Sequence, residues 1–457
     1  MTNKITELTR FRADLTRSLS RRGTRLLEAT DQAGEVAALE PLEAYLIARE
    51  LGLDQARPLL LHLTKRQLRT CIDLSCWHHY DFEATALVEW LAAFAEEGAT
   101  ALARAFFALD IEVQILFLAR TLAVYSFEDD QIPEDEEGGK TRAMTPDSLY
   151  LLELKSEETM QINPLGLVGA LYQHDPDEAR HLISAVRWEM QGQIEEEGLR
   201  FRGNRMYELG FVAPEEAAVL FTCPRDQPPL RPLEPEEGPV TRLPALYAQL
   251  LGESNLLVRA LALITDQPSL RRLEQELVWT INTAIIAYGE SPKDIEYVAD
   301  IALRVRDTIS LGLESLIIKE DPRQQTDDGS DAGQAVGLIK KWSMRDLFRH
   351  GYGATATLRQ EIAQAMRLPL VQAWYQLPEM EQSDEPGDRL DRAFIRALLG
   401  RHPLLGGFDP ADAGKVRAFA SMADISTARA RLQQLIPRLN SEGSGQPSSL
   451  RARNNET

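Results

Sequence analysis

The densest set of reactive side chains in the chain is Cys71-Ile72-Asp73-Leu74-Ser75-Cys76-Trp77-His78-His79-Tyr80. Thiols, imidazoles and a carboxylate in one short stretch are the side chains that hold zinc. The spacing opposes it. Five residues along a helix turn Cys71 and Cys76 about 140° apart, so they face different neighbours. No second Cys/His cluster supplies the rest of a tetrahedral site. The stretch reads as a core helix with small buried thiols, ending in a loop where the histidines meet solvent. Glu178 and His181 form a Glu-x-x-His pair, half of a carboxylate-bridged metal bundle. No other Glu-x-x-His occurs, and Asp177 with His181 at i, i+4 makes a simpler exposed pair. Gly-x-Ser-x-Gly, Gly-x-Gly-x-x-Gly and the P-loop are all missing. The Gly351-Tyr352-Gly353 fragment has no strand before it and reads as a place of close helix packing. The sequence thus assigns no catalytic residue, no cofactor and no metal ligand.

Two further stretches carry unusual polarity. Glu195-Glu196-Glu197-Gly198-Leu199-Arg200-Phe201-Arg202-Gly203-Asn204-Arg205 places acids four residues before arginines, as in Glu196 and Arg200. That pattern supports a solvated helix end. The functional alternative is a partner or anion surface built from Arg200, Arg202 and Arg205. Thr280, Asn282 and Thr283 sit inside an otherwise apolar helix, Leu277 to Ile286. Buried amides and hydroxyls need partners, so a polar network is expected there, serving the fold rather than a ligand.

The elements that must position these residues are helices. Thr64 with Gln67 forms a capping-box pattern. Asp175-Pro176-Asp177-Glu178 and Asp409-Pro410-Ala411-Asp412 each combine an N-cap, a first-turn proline and acids. Ser291-Pro292-Lys293-Asp294 and Ser343-Met344-Arg345-Asp346 are further starts. Apolar periodicity predicts helices over 42–52, 54–62, 65–75, 82–97, 98–109, 110–126, 164–173 and 176–208. It continues with 214–221, 243–251, 254–264, 268–288, 292–318, 334–341, 344–366, 388–399 and 411–436. One small β-hairpin is expected, with strands 149–154 and 159–162. The fold class is therefore all-α: an irregular α-solenoid, or multi-lobed helical bundles, with at most that one hairpin.

Composition divides the 457-residue chain. Residues 1–25 form a basic amphipathic arm with seven basic and two acidic side chains, a net +5 that leaves −25 for the rest of a chain at −20. Its stripe is Ile5, Leu8, Phe11, Leu15 and Leu19. A helical-hairpin domain follows at 26–126, then an acidic linker at 127–146 and a helical domain with the possible hairpin at 147–221. A Pro-rich linker at 222–240 with six prolines leads to a C-terminal helical domain at 241–439 and a disordered tail at 440–457. An acidic body repels nucleic acid, so no nucleic-acid partner is expected. No apolar run is long enough to span a bilayer. Three cysteines fit a reducing compartment, which makes a cytoplasmic location the expectation.

The runs Arg205-Met206-Tyr207-Glu208-Leu209-Gly210-Phe211 with Pro214-Glu215-Glu216-Ala217, Leu347-Phe348-Arg349-His350-Gly351-Tyr352, and Val416-Arg417-Ala418-Phe419 with Ala423-Asp424 resemble an uncharacterised bacterial family, the domain of unknown function numbered 6178. The resemblance implies no activity, substrate or site residues. Helical organisation without an assembled catalytic set points to a cytoplasmic scaffold or adaptor that binds a protein partner. The alternatives are an enzyme whose site is assembled from distant helices, and a cation-responsive regulatory module built on the acids of 128–137.

Overall fold

The computed structural model describes residues 19–78, 80–128, 141–156, 160–188, 191–222, 255–290, 292–320, 330–377, 386–411 and 413–442. The expected helix at 243–251 and most of the basic arm, of the acidic and Pro-rich linkers and of the C-terminal tail lie outside these residues; the end of the acidic linker, Arg142–Met144, is a strand. The chain is all-α with minor sheets.

In the first half, α1 (Gln32–Ala37), α2 (Pro41–Leu51), α3 (Leu53–Leu60), α4 (Lys65–Ser75), α5 (Ala84–Glu97), α6 (Ala99–Phe107) and α7 (Ile111–Thr121) follow one another through short turns. The capping box forms at α4: Thr64 Oγ1 accepts from the Gln67 amide at 3.3 Å, and Gln67 Oε1 accepts from the Thr64 amide at 2.8 Å. The same Gln67 amide group donates to the carbonyls of Val36 and Leu39, so one side chain both starts α4 and fixes the end of α1. Strands β1 (Trp77–His78) and β2 (Asp81–Phe82) form a two-residue ladder after α4.

The expected single hairpin gives way to a three-stranded sheet. Strand β5 (Tyr150–Leu154) pairs antiparallel with β3 (Leu122–Ser126) on one side and β4 (Arg142–Met144) on the other. Residues 160–162 are not a strand. Residues 122–126, read as the end of a helix, leave α7 at Thr121, whose hydroxyl donates back to the Phe117 carbonyl at 2.8 Å. Val124 and Tyr125 favour strand once a partner lies beside them, and that partner is some 28 residues away along the chain. Helices α8 (Pro164–His174), α9 (Pro176–Trp188) and α10 (Gln191–Glu208) follow, the last two replacing the single helix expected at 176–208. A short α11 (Pro214–Ala217) runs into a 3₁₀ turn, Ala218–Phe221.

The second half contains α12 (Leu256–Ala262), α13 (Gln267–Tyr288), α14 (Ile295–Glu320), α15 (Ser330–Lys341), α16 (Met344–Ala365), α17 (Pro369–Gln376), α18 (Pro386–Leu399) and α19 (Met422–Glu442). Strands β6 (Leu405–Gly406) and β7 (Val416–Arg417) pair between the last two helices. The helix expected from 411 starts instead at Met422. Asp409 does accept from the Ala411 amide at 2.9 Å, but this is an isolated Asx turn and the chain goes on into β7. Helix α17 escaped the sequence reading.

Helices α14 and α16 cross backbone to backbone. A Cβ placed on Gly351 would overlap the Thr308 carbonyl, and one on Gly312 the Leu347 carbonyl. Gly351 of the Gly351-Tyr352-Gly353 fragment thus allows the close helix packing read from sequence. One apolar core extends from Leu19 to Phe348, and a second from Leu311 to Leu439. Both α14 and α16 contribute to each, so the cores share their central helices.

Candidate functional site

The two stretches singled out for chemistry meet in space. Helix α10 lies across the C-terminal end of α4 and the start of α7. Gly198 makes the approach possible, since a Cβ there would stand 2.9 Å from Leu116 Cδ1 and 3.3 Å from Trp77 Cη2. Asp73, only 3% exposed, receives both Nε and Nη2 of Arg205 at 2.7 and 2.9 Å. The remaining Nη1 of Arg205 reaches Glu112 Oε1 at 2.9 Å and Asp110 Oδ2 at 3.1 Å. Arg202 donates from Nε to the Asp73 backbone carbonyl at 2.8 Å, with its guanidinium 5.5 Å from the Trp77 ring centre. Arg69 closes the set on Asp110 Oδ1 at 2.6 Å.

Three carboxylates and three guanidiniums therefore balance at the junction of α4, α7 and α10. Burial pushes the Asp73 carboxyl up, while Arg205 and Arg202 pull it down without fully offsetting that burial. Burial works against the Arg205 charge too, but Asp73, Glu112 and Asp110 outweigh it and hold the guanidinium above its usual value. Arg202 is lowered because burial exceeds the pull of Asp73. A forked guanidinium shared among carboxylates fixes geometry more than it offers reactivity. Arg202 and Arg205 are brought together and turned inward, while Arg200 stands apart and exposed, its guanidinium 4.9 Å from the Phe201 ring centre.

The other candidate residues have plain chemistry. Cys71 and Cys76 are fully buried and free, and burial pushes both thiols well above their ordinary range, which disfavours the thiolate needed for attack or ligation. His78 is exposed on β1 and His79 lies outside the described residues. His181 meets the Asp177 backbone carbonyl at 2.7 Å rather than its carboxylate. Among the described residues, no group of three or more His, Cys, Asp and Glu side chains is placed to hold a metal.

The third polar stretch also ends on α10. Asn282 Nδ2 donates to the Leu209 carbonyl at 2.6 Å, and Thr283 Oγ1 to the Gly210 carbonyl at 3.0 Å. These are carbonyls that a helix end leaves without partners. Gly210 has φ +87° and packs so closely on Trp279 that a Cβ would lie 2.8 Å from its Cα. Only glycine takes both the left-handed backbone and that approach. Three separate sequence oddities therefore serve one helix, held at its middle by Asp73 and at its end by α13. Sequence reasoning missed Asp73, Asp110 and Glu112 as the acids that answer Arg205. Glu112, in the apolar run Ile111 to Ala119, was the one visible signal.

The outer face of α10 is left to solvent. Arg200 and Asn204 are exposed there, with Phe201 41% and Tyr207 50% exposed. No curated protein and no solved structure matches this chain. The family described as a family of unknown function (DUF6178) matches residues 6–447, and the chain belongs to that family.

Proposed function

We propose that the protein is a non-catalytic cytoplasmic scaffold or adaptor whose protein partner docks on the outer face of α10. The supporting observation is the division of that helix. Arg202, Arg205 and Met206 fix its inner side, while Arg200, Phe201 and Tyr207 stand outside on a support that does not need them. Arginine and aromatic side chains on a rigid element are the residues that carry most energy at protein interfaces. The complementary surface carries a carboxylate for Arg200 beside apolar groups for the two rings. No helix among the described residues is long and apolar enough to cross a membrane.

The test is affinity purification of the full chain from its native cell, against the double variant Arg200→Glu, Tyr207→Ala. The partner should be lost in the variant while the circular dichroism melt stays unchanged. Retention of the same partner removes α10 as the docking face. Thermal melts with Mg²⁺, Ca²⁺ and chelator address the cation-responsive alternative, and an unchanged midpoint is the expected result.

A further inference from the structure

Helices α12 and α13, joined by the turn at 263–266, leave space between two apolar sides. Each start is fixed by its cap: Asn255 Oδ1 accepts from the Val258 amide at 3.0 Å, and Asp266 Oδ2 from the Ser269 amide at 3.0 Å. Leu256, Leu257 and Ala260 bury one side of α12, which rests on α14 and α15. The opposite side carries Val258, Leu261 and Ala262, apolar as well and only partly covered. A helix that is apolar all round is ordinarily buried all round. On α13, Leu270, Leu273 and Leu277 stand at i, i+3 and i+7 and so share one stripe.

Between the two sides lies a cavity of about 230 Å³, lined by these six residues and by Glu274. Ala262 is exposed, so the cavity opens to solvent at the end of α12. Glu274 is the one charged side chain of the lining, set within the leucine stripe of α13. It makes no hydrogen bond or ion pair among the described residues. The arginines just before it do not answer it. Arg272 meets Glu276 at 3.3 Å, and Arg271 has no ion pair among the described residues. Carboxylates buried elsewhere in this protein, such as Asp73 and Asp391, are met by arginines.

We propose that this cavity binds a small organic amine, an aromatic ring or short alkyl chain that carries an ammonium group. The apolar body lies between the two helices, where burial of hydrocarbon drives binding, and the ammonium meets the Glu274 carboxylate. Other classes satisfy only part of the lining. A purely apolar ligand would strip water from the carboxylate and return nothing for it. An anion is repelled by Glu274, and a bare inorganic cation leaves the apolar walls wet. Size agrees with a compact ligand: a cavity of ~150 Å³ holds benzene, so the larger one here takes a ring with a short arm. None of the lining residues belongs to α10, so this site is separate from the proposed docking face.

The full chain, carrying carbon-13 in its leucine and valine methyl groups, is titrated with phenethylamine near neutral pH and followed by NMR. The Val258 and Leu270 methyl resonances are assigned from Val258→Ile and Leu270→Met spectra. Two controls divide the ligand: phenethyl alcohol keeps the ring without the charge, and methylamine keeps the charge without the ring. Saturable shifts of both methyl resonances are expected with phenethylamine, and each control should bind at least tenfold more weakly. Glu274→Gln should weaken the amine at least tenfold without changing the affinity for the alcohol or the thermal melt. Ala262→Phe, which fills the cavity from its open end, should abolish the shifts. Static methyl resonances up to ~10 mM phenethylamine, tenfold above a millimolar Kd, overturn the proposal. So do equal affinities for amine and alcohol, unchanged binding in Glu274→Gln, or binding that persists in Ala262→Phe.

Discussion

Arg205 is the side chain whose loss should be felt most. Replacing it with methionine keeps much of its volume but leaves Asp73 and Glu112 buried beside one another without their shared cation. Breaking a buried pair from one side costs about 3–5 kcal/mol. Urea unfolding of Arg205→Met should show that loss, and adding Asp73→Leu should recover part of it. A loss under ~1 kcal/mol would mean the network is solvated rather than structural. Acid dependence has sources that variants can separate. Burial raises the Asp147 carboxyl, but hydrogen bonds from Arg180, Thr145, the Leu149 amide and Tyr172 outweigh it and hold the carboxyl below its ordinary value. Its stabilising effect is complete above the unfolded carboxylate pKa and fades as pH falls through the folded one. Burial pushes the His402 imidazole from 6.5 down to about 4, so the unfolded chain takes up a proton the folded chain refuses. Stability from this group is complete above 6.5 and is lost as pH drops toward 4. Asp73, raised in the fold, works in the opposite direction, so variants must be compared at each pH. His402→Gln should flatten the pH slope between 6.5 and 4, and Asp147→Asn only the slope below it. Identical slopes in wild type and His402→Gln would show that the imidazole is not held neutral. None of this pairing was legible in the sequence, because Asp73 and Arg205 are 132 residues apart. Local spacing assigned the arginines to the glutamates just before them, and the fold turned two of the three inward instead.

At the scale of elements, the α14–α16 crossing depends on two missing Cβ atoms. Gly351→Ala would press a methyl group onto the Thr308 carbonyl, and backbone atoms in the middle of two helices cannot move aside. A loss of at least about 3 kcal/mol is expected, at the upper end of overpacking effects. Gly337 on α15 has nothing within 4 Å of its Cβ position, so Gly337→Ala should be neutral or stabilising by up to ~1 kcal/mol. Equal melting midpoints for the two variants would contradict the crossing. Helix starts were the readable part of these elements. Thr64–Gln67, Ser343–Asp346 and the Asp175 cap all form as their residue types require. Asp409 failed as a start because an Asx turn needs only its local amide, whereas a helix needs an apolar face behind it. Strand β3 failed for a related reason: an apolar run directly after a helix carries no mark of where the helix ends. Only the distant Tyr150 to Leu154 makes it a strand. The polar face of α13 was readable as a network, since buried Asn and Thr demand partners, but its partner at Leu209 and Gly210 was not.

At the scale of the whole molecule, sharing α14 and α16 between both apolar cores ties the two halves into one folding unit. Removing either core exposes the apolar residues of those helices, so a single unfolding transition is expected when circular dichroism and tryptophan fluorescence are followed together. Two separated transitions would show that the crossing does not couple the cores. The basic N-terminal arm extends the same logic to the edge of the molecule. Its last part is helical and docked: a helix covers residues 19–27, Leu19 and, just past the arm, Leu26 are each 2% exposed, and Arg22 meets Glu43 of α2 at 2.9 Å. Gly23 lies against Leu51 of the same helix. The arm thus attaches to the body by its C-terminal end, with one of its arginines on an acid of the body, as opposite net charges favour. Deleting residues 1–25 removes Leu19 and Arg22 and leaves Leu26 without the helix that buries it. Two buried leucines are together worth about 3–6 kcal/mol in full, less what the shortened chain recovers by relaxing, so urea unfolding should show a loss of about 2–4 kcal/mol. Deleting only residues 1–18 separates the remainder of the stripe, Ile5, Leu8, Phe11 and Leu15, from the docked turn. A further loss on that shorter deletion means the whole stripe lies on the body. Unchanged stability means those four side chains serve a partner or an anionic membrane, and co-sedimentation with anionic vesicles distinguishes the two.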